Sequence, residues 1–415
     1  MNIKLGTGLA VGALILTACA GVVVEAETPA TDLATTPSST PSATEDGTPQ
    51  SAPRGLLPPQ VLPSHLNSMS IVWATDWSKA TVDLNEILVG IPANDPRDII
   101  PPIDDPAFDS VSETDWLTDQ DPGLALEIDG QARFYPLAVL TRHEIVNDEF
   151  GDVPVAVTYC PLCNTGVVFD RRFNGQVLRL GVSGLLRNSD LVMWDDVSQS
   201  LWQQITGEAI VGEFAGQRLT PIGSGIVRWA DFAATYPDGE ALSDDQGFGR
   251  NYGINPYTFY SSRETPYGFF QGEIDERFPA LERVVGVTIG ETSRAYPFST
   301  LAEERVANDE IDGQPVVVFW GAADTADALD NNVISESVGI GTAVAYSAVV
   351  DGETLTFEAI GDTEFRDLET GTTWSILGKA TGGQLAGSEL EILPHRNEFW
   401  FAWQAFFPEG DVWEG

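Results

Sequence analysis

ALEIDGQARFYPLAVLTRHEIVNDEFGDVPVAVTY (residues 125–159) has a counterpart in the same chain, GVTIGETSRAYPFSTLAEERVANDEIDGQPVVVFW (residues 286–320), at one constant offset without a gap. The match resumes between 164–175 and 341–352, and again between 229–239 and 400–410. Because this period far exceeds the roughly 20 to 50 residues of a solenoid repeat, the sequence predicts a duplicated domain. The identical residues include Arg133 and Arg294, Tyr135 and Tyr296, Pro136 and Pro297, Asn147 and Asn308, Asp148 and Asp309, and Pro154 and Pro315.

Each copy has patterns that predict mainly strands with one or two short helices. Asp129-Gly130 lies between two alternating runs and is typical of a hairpin turn. Pro136 begins a segment whose apolar residues recur at helical spacing through Val146, which predicts one helix. Later segments separated by Asn-Gly and Ala-Gly predict further strands, and residues 229–237 predict a second short helix. We therefore expect an α+β, sheet-dominated fold made of two copies of a β-rich domain, the second copy degenerate at the site.

The N-terminus predicts export. A basic start at Lys4, an apolar run over residues 9–16 and small residues before Cys19 are typical of a secretory signal, and the run is shorter than the roughly 20 residues of a membrane span. The ending LTAC resembles a bacterial lipobox. This resemblance implies that residues 1–18 are a lipoprotein signal peptide and that Cys19 is lipidated. We expect an extracytoplasmic protein anchored to the cell membrane by that lipid.

Amino-acid composition distinguishes residues 19–60 from the chain that follows them. Residues 19–60 are rich in Thr, Ser, Pro and acidic residues, which predicts a flexible tether. The rest is long enough for two domains with cores of ordinary size. We expect the first repeat at 69–240, a connector at 241–276 and a scaffold-like second repeat at 277–415.

The formal net charge of −41 limits the kinds of partner. Lysine occurs only at Lys4, Lys79 and Lys379, so a clustered basic face is not expected. Binding to nucleic acid, or to anionic lipid beyond the anchor, requires such a face. The composition therefore argues against both, and it leaves a small-molecule or protein partner open.

Differences between the copies point to a site in the first one. Duplicated domains share what the fold requires, so polar residues found in only one copy are candidates for chemistry. The segment LLRNSDLVMWD, residues 185–195, is shortened to residues 362–367 in the second copy. At aligned positions, His143 is replaced by Glu304, Cys160 by Gly321 and, less securely, Cys163 by Asp324.

Three motifs of the first copy carry a family resemblance: VTYCPLCNTGVVFDRR at 157–172, GVSGLLRNSDLVMWD at 181–195 and LWQQITGEAIVG at 201–212. They resemble the uncharacterised bacterial family catalogued as domain of unknown function 3179. The resemblance is clearest from about residue 100 to residue 237. It implies membership of a family with no established reaction, so it assigns no catalytic role to any residue.

The spacing of Cys160 and Cys163 lets both sulfurs face one point, which suits a metal ion or a short disulfide. Oxidising surroundings favour a disulfide in an exported protein. A bridge between residues so close in sequence, however, removes little chain entropy. The leading hypothesis is therefore a metal site, holding copper or zinc, with His143 as a third ligand.

A fourth ligand is expected if the site is a closed tetrahedral one. Met193, Asp190 and Glu144 are the candidates nearest in sequence. A thioether from Met193 would favour copper, whereas a carboxylate would favour zinc. The sequence leaves this choice open.

The RNSD loop is a predicted rim for a substrate. Arg187 and Asn188 would bind an anionic group, and Asp190 would orient the His143 ring. Polar loop residues also commonly satisfy one another or the backbone. Both interpretations are open from the sequence.

Two other functions stay open alongside metal binding. One is thiol chemistry, in which Cys160 attacks and Cys163 resolves, or in which His143 activates Cys160 as a nucleophile. The other is a binding or scaffold protein whose cysteines form a structural disulfide. The sequence leaves open whether the protein is an enzyme.

Overall fold

Residues 55–415 are the part of the chain that the computed structural model describes. The predicted signal peptide, Cys19 and most of the predicted tether lie outside the described residues. Within 55–415, no helix is long and apolar enough to cross a membrane. Leu57 and Gln60, which the sequence places in the tether, hydrogen-bond to the carbonyls of Ala80 and Val82, so packed structure begins before residue 61.

The first part of the described chain is mainly strand, with three short α-helices. The helices are α1 (Asn67–Val72), α2 (Leu137–His143) and α3 (Trp229–Thr235). The strands are β1 (Ile87–Val89), β2 (Phe108–Ser110), β3 (Pro122–Ile128), β4 (Gln131–Pro136), β5 (Ile145–Phe150), β6 (Val153–Cys160), β7 (Thr165–Asp170), β8 (Arg172–Phe173), β9 (Gln176–Val177), β10 (Leu180–Arg187), β11 (Asp190–Asp195), β12 (Leu201–Gln203), β13 (Ala209–Val211), β14 (Thr220–Ile222), β15 (Gly225–Arg228) and β16 (Glu240–Leu242).

The second part begins at Arg283 and has the same strand-rich character, with two α-helices. The helices are α4 (Phe298–Glu304) and α5 (Trp400–Phe406). The strands are β17 (Arg283–Ile289), β18 (Thr292–Pro297), β19 (Val306–Ile311), β20 (Gln314–Gly321), β21 (Thr342–Ser347), β22 (Val349–Val350), β23 (Glu353–Thr354), β24 (Phe357–Ala359), β25 (Glu364–Asp367), β26 (Thr373–Ser375), β27 (Ala380–Gly382), β28 (His395–Phe399) and β29 (Asp411–Val412). The predicted sheet-dominated α+β class is confirmed.

Three sheets of the first part position the thiols. One has the order β1-β10-β11-β12-β13, the second β14-β7-β6-β5 and the third β15-β3-β4-β16-β2. In the second part the orders are β28-β17-β18-β29, β19-β20-β21 and β24-β25-β26-β27. The elements from β3 to β7 follow the same order as those from β17 to β21. In both, two strands are followed by an α-helix and then by three strands.

The expected hairpin and helices have definite local causes. Asp129 and Gly130 both have positive φ, 52° and 78°, as a two-residue turn between β3 and β4 requires. Helix α2 is shorter than the apolar spacing predicts, because Glu144 is left-handed with φ 61° and the chain continues as β5. Arg305 has the same conformation after α4, with φ 69°. Helix α3 confirms the second predicted helix.

A buried ion pair accounts for several residues that the two stretches share. The Nη1 atom of Arg133 lies 2.8 Å from Asp148 Oδ2, and the Tyr135 hydroxyl donates to the same carboxylate. In the second part, Arg294 and Asp309 form the same pair at 2.7 Å, with Tyr296 as the donor. The repeated residues therefore join a strand of one sheet to a strand of another in the same way in both parts, β4 to β5 and β18 to β19.

We expect Asp148→Asn and Asp309→Asn each to lower the free energy of unfolding by about 1–2 kcal/mol, because a charge-assisted hydrogen bond to arginine becomes a neutral one. The loss should be larger at Asp148, which is the more buried carboxylate. Urea unfolding followed by tryptophan fluorescence measures both. A change at only one of the two positions would contradict the equivalence of the two ion pairs.

One hydrophobic core extends across both parts of the described chain. It includes Val157 on β6 and Met193 on β11, together with Phe399 and Phe401 near the C-terminus. Nearly all of β6 is buried, which suits its run of β-branched residues. The β6–β7 hairpin, which carries the two cysteines, is therefore held rigidly from both sides.

Candidate metal centre

The two thiols lie at the tip of the β6–β7 hairpin. Strand β6 ends at Cys160, which pairs with Thr165 at the start of β7, so Cys163 lies in the connecting turn. Asn164 has a φ of 56°, and its side-chain oxygen accepts a hydrogen bond from the Tyr159 hydroxyl at 3.0 Å. Both cysteines are buried and neither is in a disulfide. The turn thus presents two free sulfurs in the protein interior.

A second hairpin brings a carboxylate to these sulfurs. Strands β10 and β11 are joined by Asn188 and Ser189, both at positive φ, and Asp190 is the first residue of β11. One ligand atom each from Cys160, Cys163 and Asp190 lie within 4.8 Å of one another. The Cys160 thiol also faces the Ser189 carbonyl, with the sulfur 3.6 Å from the oxygen. The two hairpins therefore build one cluster of S, S and O donors.

The two oxygens of the Asp190 carboxylate differ in their hydrogen bonds. Burial raises the pKa of this carboxyl, and the Cys160 thiol lies close enough to lower it as a donor. Its Oδ2 accepts from the Gln203 side-chain amide at 2.6 Å and from the backbone N–H of Ile205 at 3.0 Å. Its Oδ1 is buried and has no hydrogen-bond partner among residues 55–415. A buried oxygen without a donor requires an explanation such as an ion or a water molecule. In this position, beside two sulfurs, a cation would satisfy it.

Gln204 lies beside the same cluster. Its Nε2 donates to the Thr158 hydroxyl at 2.8 Å and to the Thr165 carbonyl at 3.1 Å, one on each strand of the cysteine hairpin. Its Oε1 is buried and, within the described part of the chain, has no donor. The fixed amide nitrogen leaves this oxygen as a second acceptor that a cation could satisfy.

Burial keeps protons on the cluster. Desolvation raises the pKa of the Cys160 thiol, and it raises that of Cys163 even further above the usual range. Desolvation also raises the pKa of Asp190 to about 7. The pKa of the nearby Glu144 rises to about 8, first through burial and then through the Asp190 charge. Near neutral pH the thiols are therefore protonated unless a cation displaces their protons.

The structure does not place His143 in this cluster, which corrects the predicted ligand set. Its Nδ1 lies 2.6 Å from the Pro101 carbonyl oxygen and its Nε2 lies 2.9 Å from the Tyr252 hydroxyl. Burial lowers the pKa of the ring to about 4, so the imidazole is neutral near pH 7. With both nitrogens engaged, the ring has no free nitrogen for a metal ion, and Asp190 takes the third position in the group.

Met193 lies in the same hydrophobic core as the two cysteines. It is fully buried and pairs in register with Trp202 of the neighbouring strand. The ligand atoms that lie within 4.8 Å of one another belong to Cys160, Cys163 and Asp190, and Met193 as a further ligand stays a prediction.

The three residues of the predicted substrate rim have other contacts in the structure. Arg187 forms an ion pair with Glu86, whose Oε2 lies 2.7 Å from the Arg187 Nη2 atom. Asn188 forms the hairpin turn, and Asp190 bonds to Gln203 and not to the His143 ring. These contacts favour the interpretation in which the polar loop residues satisfy one another.

Gln204 is a candidate that the predicted ligand and substrate-binding residues do not include. Trp202 corresponds to Trp374 when the sequences of the two parts are aligned. The indole nitrogen of each donates a hydrogen bond to an aspartate, at 2.9 Å in both cases. Continuing that alignment by two residues places Gln204 opposite Ile376. The same comparison of aligned positions that identified the cysteines therefore also identifies this position, where a polar residue is replaced by an apolar one.

These features define a β-rich protein with a buried dithiol–carboxylate cluster. The chain belongs to the family described as Protein of unknown function (DUF3179), whose model matches residues 97–410. The matched range contains both cysteines, Asp190 and the second part up to α5. No curated protein and no solved structure matches the chain.

Proposed function

We propose that this protein is an exported, lipid-anchored metal-binding protein that holds copper or zinc through Cys160, Cys163 and Asp190. One observation carries the metal site: two sulfurs and a carboxylate oxygen lie within 4.8 Å of one another in the protein interior. The unpartnered Asp190 Oδ1 supports it, because a cation supplies what that atom lacks. The anchor and the location outside the cytoplasm rest on the signal-like N-terminus.

The donor set suits a thiophilic ion. Two thiolates bind Cu(I) or Zn(II) more strongly than they bind magnesium or calcium, which prefer oxygen donors. The carboxylate of Asp190 supports zinc, whereas the small number of donors also suits Cu(I). Three protein ligands leave a further position on a zinc ion, and Gln204 Oε1, a buried acceptor without a donor in the described part of the chain, is a candidate for it.

Thiol chemistry has less support at this pair. A reactive cysteine needs a stabilised thiolate, usually at a partly exposed position with a nearby positive charge. Here burial raises the pKa of both thiols, and the neighbouring charges are carboxylates, which raise it further. A metal ion would reverse this situation, because it provides the positive charge that the thiolates require.

We also infer that the two parts of the chain are copies of one ancestral domain and that the second lacks the site. The shared order of elements and the repeated arginine–aspartate–tyrosine contacts support this inference. Gly321 of β20 takes the position of Cys160 in the alignment. The second copy would then act as a scaffold.

Metal titration of the purified chain tests the proposal. Zn(II) and, under anaerobic conditions, Cu(I) are added to metal-free protein, and bound metal is compared with the thiols that still react with a disulfide reagent. One ion per chain should remove both thiols from reaction. Because the acidic surface also attracts cations, metal that binds while both thiols stay reactive would contradict the proposal.

We expect Asp190→Asn to lower the affinity for Zn(II) about 10- to 100-fold while the fold is retained. The amide oxygen can still accept from Gln203 and Ile205, but the anionic ligand is lost. Asp362→Asn is the matched control, because Asp362 is an exposed aspartate in the shortened loop of the second part. Equal losses in the two variants would assign the metal to general surface charge.

A further inference from the structure

The segment from Ser243 to Glu282 covers the dithiol–carboxylate cluster without forming any helix or strand. It connects β16 to β17, and few of its backbone hydrogen bonds run within the segment itself. Long segments of this kind in an ordered domain are commonly functional, for example as lids. We refer to residues 243–282 as the cover.

Two contacts attach the cover directly to the two hairpins of the site. The Tyr260 hydroxyl donates to the carbonyl of Leu162, one of the two residues between the thiols in sequence, at 2.7 Å. The backbone N–H of Ser189, next to Asp190, donates to the Phe269 carbonyl at 3.2 Å. The same segment therefore holds the tip of each hairpin that supplies a donor.

A third contact uses the His143 ring. The Tyr252 hydroxyl lies 2.9 Å from His143 Nε2, and the Arg250 guanidinium donates to the Arg142 carbonyl at 2.8 Å. Both partners lie at the C-terminal end of α2. This explains why a polar ring is buried in the first part although it does not belong to the thiol cluster.

Aromatic rings fill the space between these attachments. Tyr260 stacks on Tyr267 with ring centroids 4.4 Å apart and an interplanar angle of 7°. Phe270 packs edge-on against Phe401 of α5, at 5.0 Å. Tyr260 is fully buried and belongs to the same hydrophobic core as both cysteines. In the closed arrangement, a reagent or an ion from solvent therefore cannot reach the sulfurs directly.

We propose that the cover is a gate to the thiol pair, held closed by the Tyr260–Leu162 and Tyr252–His143 hydrogen bonds. Residues 254–261 of the cover are fastened to residues 327–333 by several backbone and side-chain hydrogen bonds. The contacts of the cover with the two hairpins and with α2 are, in contrast, single hydrogen bonds, so these contacts can open while the sheets stay intact. This inference goes beyond the proposed metal site, because it concerns how any small molecule reaches the sulfurs. It holds whether or not a metal is the ligand.

Labelling kinetics of the thiols test the gate without any metal. The full chain, treated with chelator and freed of reductant, is mixed with a disulfide reagent under native conditions. We expect Tyr260→Phe and Tyr252→Phe each to accelerate labelling about three- to tenfold, because each removes one hydrogen bond of the closed state. Tyr346→Phe is the matched control, since Tyr346 is buried and its hydroxyl donates to the Ile376 carbonyl at 2.8 Å in the second part. It should change the rate less than twofold.

The dependence of the labelling rate on urea separates local opening from global unfolding. Through the gate, the rate should rise only weakly with low urea concentrations, because little surface is exposed. The proposal is overturned if the slope equals that of global unfolding, or if all three tyrosine variants accelerate labelling equally. Unchanged rates in both cover variants would overturn it as well. A negative metal titration would not affect these results.

Discussion

Replacing Cys163 by alanine should lower the affinity of the site for Zn(II) or Cu(I) by at least about 1000-fold, since groups that merely support metal ligands already contribute about 10- to 100-fold. Cys163 is fully buried, and its sulfur is one of only three donors that we identify in the cluster. Its removal leaves one thiol and one carboxylate, a set that holds a thiophilic ion poorly. Alanine is preferred to serine because it introduces no buried hydroxyl.

Competition with a coloured chelator measures this loss, and Met193→Leu is its control. Met193 is outside the assigned donor set, and the exchange nearly conserves volume, so the affinity should stay within a few-fold of wild type. If Met193→Leu weakened copper binding as strongly as Cys163→Ala, the sulfur of Met193 would be a ligand and the assigned donor set would be incorrect.

The stabilisation that Glu144 and Asp190 give to the metal-free protein should decrease as the pH rises from about 4.5 to about 8, in contrast to ordinary acid denaturation. The buried His143 and His395 rings, whose pKa values are lowered to about 4, give the opposite trend up to about pH 6.5. Burial raises the pKa of Glu144 to about 8 and that of Asp190 to about 7, whereas in an unfolded chain both carboxyls ionise near about pH 4. Between these values the two carboxyls bind more protons in the folded state than in the unfolded state. Each carboxyl therefore stabilises the fold fully at pH values below its pKa in the unfolded chain. This stabilisation is lost as the pH rises past its pKa in the folded protein.

Of these two carboxyls, Glu144 has the pKa that is displaced further. A displaced pKa is worth roughly 1.4 kcal/mol per unit, so Glu144 alone should account for about 4 kcal/mol across that range. Urea unfolding at a series of pH values measures the slope, which Glu144→Gln should reduce strongly. Glu304→Gln, at an exposed position on α4, should leave it unchanged. A slope that is equally steep in the Glu144 variant would show that other groups are responsible.

The parts of the fold that sequence predicts are those with local causes. The Asp129-Gly130 turn follows from the backbone conformations that these residues tolerate. The strand before Cys160 follows from its apolar, β-branched run. The end of α2 was not predictable in this way, because Glu144 adopts a left-handed conformation that no glycine or asparagine signals. The apolar spacing therefore continued the predicted helix into what is a strand.

Local patterns locate only part of the cluster for a similar reason. Two cysteines three positions apart lie close together when the chain turns between them, as it does after β6. Asp190, one of the candidates for a further ligand, reaches them through the tip of another hairpin in another sheet, a long-range relation that local patterns do not specify. His143 was assigned to the pair because it is close in sequence. Its actual partner, Tyr252, comes from the connector, whose path no periodicity specifies.

The aligned positions also suggest how such a cluster is tolerated energetically. Thr158 and Gln204 are both buried. In the alignment of the two parts they correspond to Phe319 and Ile376. Phe319 stacks on Phe365 with centroids 4.0 Å apart, so that half gains aromatic packing where the first half keeps unsatisfied oxygens. One hydrophobic core contains residues of both parts. The packing of the second part can therefore stabilise the first part, whose buried oxygens without donors lower its own stability. Isolated from that support, the dithiol half should melt at a lower temperature than it does in the whole chain.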